Sequence, residues 1–179
     1  MRINAKPSTY IALLRAVNVG GTGKLPMKDL VAMCKSLGFA EVQTYIASGN
    51  VLFESEKPAT TCRTLLEAEL QAYAGKPVTV FLRTPAEFSA ILDANPYSDK
   101  APNRTVTIFL DAAPDASVIT SAKGRKSEEI ALGSQHLYVH YGEGMADSKL
   151  VIPAASNGTA RNMNTVAKLL ILAEKSSSK

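Results

Sequence analysis

Residues 10–53, YIALLRAVNVGGTGKLPMKDLVAMCKSLGFAEVQTYIASGNVLF, decide the fold. Residues 10–17 are an apolar run ending in a Gly-rich loop, which predicts a buried strand; their Ala and Leu content leaves a helix open. A helix is expected from Pro26, whose missing N–H would be unpaired in a first turn anyway. Met27, Leu30, Val31, Cys34 and Leu37 share one face of it, and Gly38 stands where a left-handed C-terminal cap belongs. Residues 42–46 and 51–53 read as two short strands about Ala47-Ser48-Gly49-Asn50, which has turn chemistry.

The pattern continues with a helix over 61–74, whose core stripe is Leu66, Leu70 and Tyr73 and which Gly75 stops. A strand follows over 78–82. Thr84-Pro85-Ala86-Glu87 then has the spacing of a capping box opening a helix that ends near Asp93. Strand, helix, strand, strand, helix, strand is the ferredoxin-like βαββαβ order, an antiparallel sheet with both helices on one face. Beyond it, a strand is expected over 105–110, a helix over 114–121, and a hairpin of 129–132 with 135–141 about Gly133-Ser134. A short helix over 146–150 and a last helix over 159–174 follow, with residues 176–179 as a frayed tail. The class is therefore α+β. Two subdomains, 1–95 and 96–179, form one compact unit, the second a related βαββα arrangement. Residues 93–103, rich in Pro, Asn and Asp, mark the boundary.

The 179 residues, 46% hydrophobic and 20% charged, are ordinary for a globular chain that needs no metal or disulfide staple. Cys34 and Cys62 fall in helical patterns and read as packing thiols of a reducing compartment. No charged-then-apolar leader opens the sequence, and no apolar run reaches the roughly 18 residues of a membrane span. A cytoplasmic protein without a membrane partner is expected. The net charge of +4 mildly favours acidic partners. Its basic run Lys123-Gly124-Arg125-Lys126 is followed at once by Glu128 and Glu129, as in a solvated loop.

His136 and His140 share a strand face but stand about 13 Å apart, too far to chelate one metal. The cysteines lack Cys-x-x-Cys spacing, so neither a metal nor a cofactor is expected. Ser48 has no nucleophile-elbow context, which favours a turn former over a nucleophile. The loop 18–24 follows a strand, precedes a helix and carries three glycines and Lys24. Such a loop lets backbone N–H groups approach a phosphate, although it matches neither a Walker A nor a dinucleotide fingerprint. The alternative is a connection whose glycines serve turns. Arg15 sits within the apolar run; if that strand is central, its guanidinium needs an acceptor: an internal acid, carbonyls or a ligand. Thr159 suits an N-cap, which would put Arg161 in a first turn, where a cation is unfavourable unless an anion binds there. Asn162 and Asn164 are poor helix formers, so either a ligand or mere surface exposure places them.

With these residues in view, the segment 10–53 resembles the bacterial family catalogued as domain of unknown function 1697. Residues 141–150 (YGEGMADSKL) and 159–169 (TARNMNTVAKL) resemble that family's remaining signatures, in its order. The resemblance implies two α+β subdomains, the first ferredoxin-like, and no established activity. The family's recurring polar residues match Arg15, Asn18, Gly20, Gly21, Lys24, Ser48, Gly49, Asn50, Ser148, Lys149, Arg161, Asn162, Asn164 and Thr165. The family commonly carries Trp between the last two asparagines, where Met163 stands here. A ring stacking on a ligand would be lost, whereas a core position takes Met at little cost.

These residues are the expected ligand-binding set, converging between the two subdomains. A phosphate-bearing small molecule suits their donors best. Single-stranded RNA or DNA is the alternative partner, although the aromatic strand signature of RNA-binding ferredoxin-like domains is missing. A protein-interaction module without ligand is the third reading. No catalytic residue or reaction is assigned, because no metal-binding carboxylate pair is visible.

Overall fold

The structure, a computed structural model, describes residues 5–18 and 24–178. Its elements follow in the order β1 (Ser8–Leu14), α1 (Met27–Ser36), β2 (Ala40–Thr44), β3 (Asn50–Ser55), α2 (Ala59–Ala74), β4 (Val80–Arg83), α3 (Pro85–Asp93), β5 (Thr105–Phe109), α4 (Ser117–Thr120), β6 (Glu129–Leu132), β7 (His136–His140), β8 (Thr159–Asn162) and α5 (Met163–Ser177). The chain divides into two units, Met1–Glu87 with Leu169–Lys179, and Phe88–Lys168. Among the described residues no helix is long and apolar enough to cross a membrane.

In the first unit the strands lie in the order β2-β3-β1-β4, every neighbouring pair antiparallel. This is the ferredoxin-like order. Strand alternation sends Tyr10, Ala12, Leu14, Val51, Phe53, Val80 and Leu82 to one face, where they meet Leu30, Met33 and Cys34 of α1 and Cys62, Leu66 and Leu70 of α2. Each fully buried Leu or Phe contributes about 1.5–3 kcal/mol to such a core. The helix ends obey local chemistry. Pro26 is the N-cap of α1, not its first residue. At its other end the N–H of Phe39 reaches Cys34 O (3.1 Å) and that of Gly38, at φ 84°, reaches Lys35 O (3.0 Å). These two bonds make a Schellman motif. Half of the expected capping box forms. Thr84 Oγ1 accepts from the Glu87 N–H at 3.2 Å, but the Glu87 carboxylate turns to Arg83 Nε at 3.6 Å.

The opposite sheet face is buried as well, through Ile11, Leu13, Leu52 and Phe81. The end of α5 is tied to that face. Ser176 donates to Glu54 Oε1 (3.3 Å), and the hydroxyls of Thr9 and Ser177 lie 2.8 Å apart. Residues 176 and 177 are therefore helical and bonded, contrary to the expectation of a frayed tail.

The second unit repeats the strand order, as β6-β7-β5-β8, again antiparallel. Val106, Leu110, Val118, Ile130, Leu137, Val139 and Ile152 form its core. Two expectations fail here. Residues 159–162 are a strand and not the opening of the last helix, because they pair with β5 in the register Thr107↔Arg161. The expected βαββα order thus gains a strand before its last helix. That helix opens at Met163, with Asn162 as its cap: Asn162 Oδ1 accepts from the Thr165 N–H at 2.9 Å. Residues 146–150 form turns and irregular backbone instead of a helix. The predicted hairpin of β6 and β7 is present, closed by the Gly133 N–H to His136 O at 2.8 Å.

Candidate functional site

At the end of β1 the chain enters an unusual backbone. Ala16 and Asn18 adopt left-handed φ values of 56° and 54°. Asn18 then acts as a clasp. Its Nδ2 donates to Leu25 O (2.9 Å) and Ala47 O (2.7 Å), and its Oδ1 accepts from the Leu25 N–H (2.7 Å). One side-chain amide thereby joins residue 18 to Leu25 and ties both to the β2–β3 turn. Gly20 and Gly21, both expected site residues, lie outside the described residues.

That turn is equally specified. Asn50 is fully buried, and its Nδ2 donates to Tyr45 O and Ser48 Oγ, each at 3.0 Å. The Tyr45 N–H returns to Asn50 O at 3.1 Å. Gly49 sits at φ 85°, and a Cβ there would overlap Val17 Cγ2 and lie 3.0 Å from Leu14 Cβ. Ile46 is 52% exposed and held at φ 51°, a conformation a β-branched residue rarely takes. Backbone of this kind costs on the order of 1–3 kcal/mol per residue and persists only where its surroundings over-determine it. Here the Asn18 and Asn50 amides do so.

Beside this clasp lies an open hollow of about 230 Å3, lined by Ala16, Val17, Lys24, Leu25, Leu70, Tyr73, Ala74, Lys76 and Val78. Residues 16–17 and 24–25 supply one wall; the end of α2 and the run into β4 supply the other. Val17, Leu25, Leu70 and Val78 are buried and make an apolar floor. Lys24 and Lys76 are exposed. Gly75, at φ 72°, ends α2 and turns the chain so that Lys76 follows directly. Tyr73, read from the sequence as part of the α2 core stripe, is instead 49% exposed on the hollow, with its hydroxyl donating to Asp29 Oδ2 at 2.9 Å. That hydrogen bond, with smaller help from burial and the Asp29 charge, raises the phenol pKa. Arg15 follows β1 half-buried, its N–H bonded to Thr79 O at 2.9 Å.

In the second unit, Ser148 donates to Glu128 Oε1 at 2.6 Å, and the Lys126 N–H donates to Glu128 Oε2 at 2.5 Å. The Ser148 hydroxyl, followed by this backbone donor, holds the Glu128 carboxyl below its ordinary range. Lys149 is exposed. Arg161 is a buried residue of β8, outside any helix turn, so the helix-dipole argument does not apply to it. Its Nη1 donates to Thr159 Oγ1 (2.7 Å) and Ala160 O (2.9 Å), and burial lowers its pKa to about 10. Asn164 is exposed and Thr165 buried. Met163 is buried and its Sδ accepts from Thr107 Oγ1 at 3.2 Å, the environment of a core residue. Both histidines are buried: His140 Nδ1 lies 2.9 Å from Thr105 Oγ1, and His136 meets Tyr138 edge-on at 4.8 Å. No group of His, Cys, Asp or Glu among the described residues could hold a metal.

The family model described as Protein of unknown function (DUF1697) matches residues 8–138. The chain belongs to this family. The match takes in the clasp, the turn and the hollow, and stops before Ser148 and Arg161. No curated protein matches the chain. Among solved structures, the conserved bacterial protein SP0830 from Streptococcus pneumoniae is similar, with a TM-score of 0.77 and 23% identity over 94% of this chain and 99% of its own. At that identity the likeness establishes the fold.

Of the polar residues lining the hollow, Lys76 has no part in the sequence reading and Tyr73 enters it only as a core residue. Gly75-Lys76-Pro77 marks only the helix stop in the sequence.

Proposed function

We propose that the first unit binds a small anionic, phosphate-bearing molecule in the hollow between Lys24 and Lys76. The observation that carries this reading is the pair of lysines lining one hollow beside a backbone held in strained conformations by Asn18 and Asn50. Two ammonium groups offer point charges to a phosphate, and the strained backbone at Ala16 and Ile46 is set before the ligand arrives. Asn18, Ser48, Gly49 and Asn50 then serve as scaffold, and Lys24 and Lys76 touch the ligand. Nucleic-acid binding on the sheet is less well supported, because the face that RNA-binding ferredoxin-like domains leave open carries buried Ile11, Leu13, Leu52 and Phe81. Thermal unfolding in the presence of inorganic phosphate, sugar phosphates and nucleotides tests the reading. A ligand at 100 times its Kd adds about 2.7 kcal/mol, which is roughly 5–10 °C in a chain of this size. The shift should vanish in the double variant Lys24→Ala/Lys76→Ala. Equal shifts in the variant and the parent would refute the assignment.

A further inference from the structure

We infer that the ligand of the Lys24/Lys76 hollow is a mononucleotide-class molecule whose flat ring lies against Tyr73; this rests on the anion reading above and narrows it. A bare phosphate needs charge and N–H donors, yet the floor of this hollow is aliphatic: Val17, Leu25, Leu70 and Val78. An apolar floor under a cationic rim fits a ligand with an apolar body and an anionic end. The volume of about 230 Å3 limits that body. It falls below the roughly 300–1,000 Å3 of sites for drug-sized ligands, which favours a mononucleotide over a dinucleotide.

Tyr73 supplies the aromatic element. An exposed tyrosine on a helix ordinarily samples several rotamers, but this hydroxyl is tethered to Asp29 of α1, so the ring is held as a wall between α1 and α2. A fixed, half-exposed ring beside an apolar floor is a stacking surface, and stacking accepts any base because every base has a π-face. Among the described residues, the polar side chains lining the hollow are Lys24, Tyr73 and Lys76, with no amide or carboxylate among them. The base is therefore held by its face, and purine and pyrimidine monophosphates should bind within a few-fold of each other.

The test titrates the full chain with ribose 5-phosphate, AMP, UMP and a single-stranded RNA 10-mer at one salt concentration, using the parent, Tyr73→Leu, Tyr73→Phe and Lys24→Ala/Lys76→Ala. AMP and UMP should bind roughly tenfold tighter than ribose 5-phosphate, the scale of one base–aromatic stack. Tyr73→Leu should remove that advantage and leave ribose 5-phosphate unchanged. Tyr73→Phe, which keeps the ring and loses the tether, should retain part of it. Equal binding of AMP and ribose 5-phosphate to the parent, or equal weakening of both by Tyr73→Leu, overturns the mononucleotide assignment and leaves the anion reading standing. Binding of AMP that is unchanged in the double lysine variant overturns both. An RNA 10-mer bound far more tightly than AMP overturns the small-molecule assignment in favour of a nucleic-acid strand.

Discussion

Replacing Gly49 by alanine probes the packing of the clasp and the turn, and Gly75→Ala is its internal control. Both glycines are left-handed, at φ 85° and 72°. Either substitution therefore carries the steric cost of that conformation, about 1–2 kcal/mol, and gains the same small unfolded-state entropy term. Their surroundings differ. A Cβ at Gly75 meets nothing within 4 Å, whereas one at Gly49 overlaps Val17 Cγ2 and approaches Leu14 Cβ to 3.0 Å. Val17 and Leu14 are buried, and Leu14 is anchored through its N–H to Gly49 O at 2.8 Å, so neither can withdraw without moving β1 or the loop after it. Overpacking of this kind adds about 1–3 kcal/mol. The destabilisation by Gly49→Ala should thus exceed that by Gly75→Ala by about 1–3 kcal/mol, or roughly 2–12 °C in Tm. Urea and thermal unfolding of both variants measure the difference. Equal stabilities within about 0.5 kcal/mol would refute the account of why this turn requires glycine.

Asn18→Asp keeps the acceptor for the Leu25 N–H but sets a carboxylate against the carbonyls of Leu25 and Ala47; it should cost about 2–3 kcal/mol in chemical denaturation, more than a surface amide would. Burial pushes the Cys34 thiol from 9.0 up to about 12, and the unfolded chain ionises first as pH rises. Stability should therefore fall between about pH 9 and pH 10, with a shallower slope in Cys34→Ser. Above that window Arg161, lowered to about 10, acts in the opposite sense. Cys34 and Cys62 are both buried, so a thiol reagent at pH 8 should label the native chain only after denaturant is added. Glu128, whose folded pKa is depressed by Ser148, contributes stability that is present above its ordinary pKa and lost as pH falls; Ser148→Ala should flatten the acid limb of a Tm–pH profile.

The parts of the fold legible in the sequence are those where local chemistry and long-range packing agree. Gly38 and Gly75 mark two helix ends because a left-handed residue closes each of them, and the unbroken apolar run from Tyr10 matches a central strand buried on both faces. Residues 159–162 escaped because four residues carry too little period to read as a strand, and the threonine and asparagine there suit caps. The deciding fact is pairing with β5, some fifty residues away. Asn162 was right as an unusual helix residue, but the reason is capping. In the candidate site, turn chemistry marks the 47–50 turn, three glycines and Lys24 mark the 18–24 loop, and the family resemblance adds Asn18. Tyr73 was read as core because its spacing from Leu66 and Leu70 follows the apolar stripe, yet it sits where α2 runs past the edge of its core. Lys76 gave no periodic signal, since its place depends on how Gly75 redirects the chain.

The most direct test of the central claim is a set of amide NMR spectra of the full chain titrated with AMP. Saturable shifts should gather at residues 16–18, 24–25 and 73–78, around the hollow, and disappear in Lys24→Ala/Lys76→Ala. Saturable shifts confined to other residues, or a spectrum that AMP leaves unmoved, would contradict it.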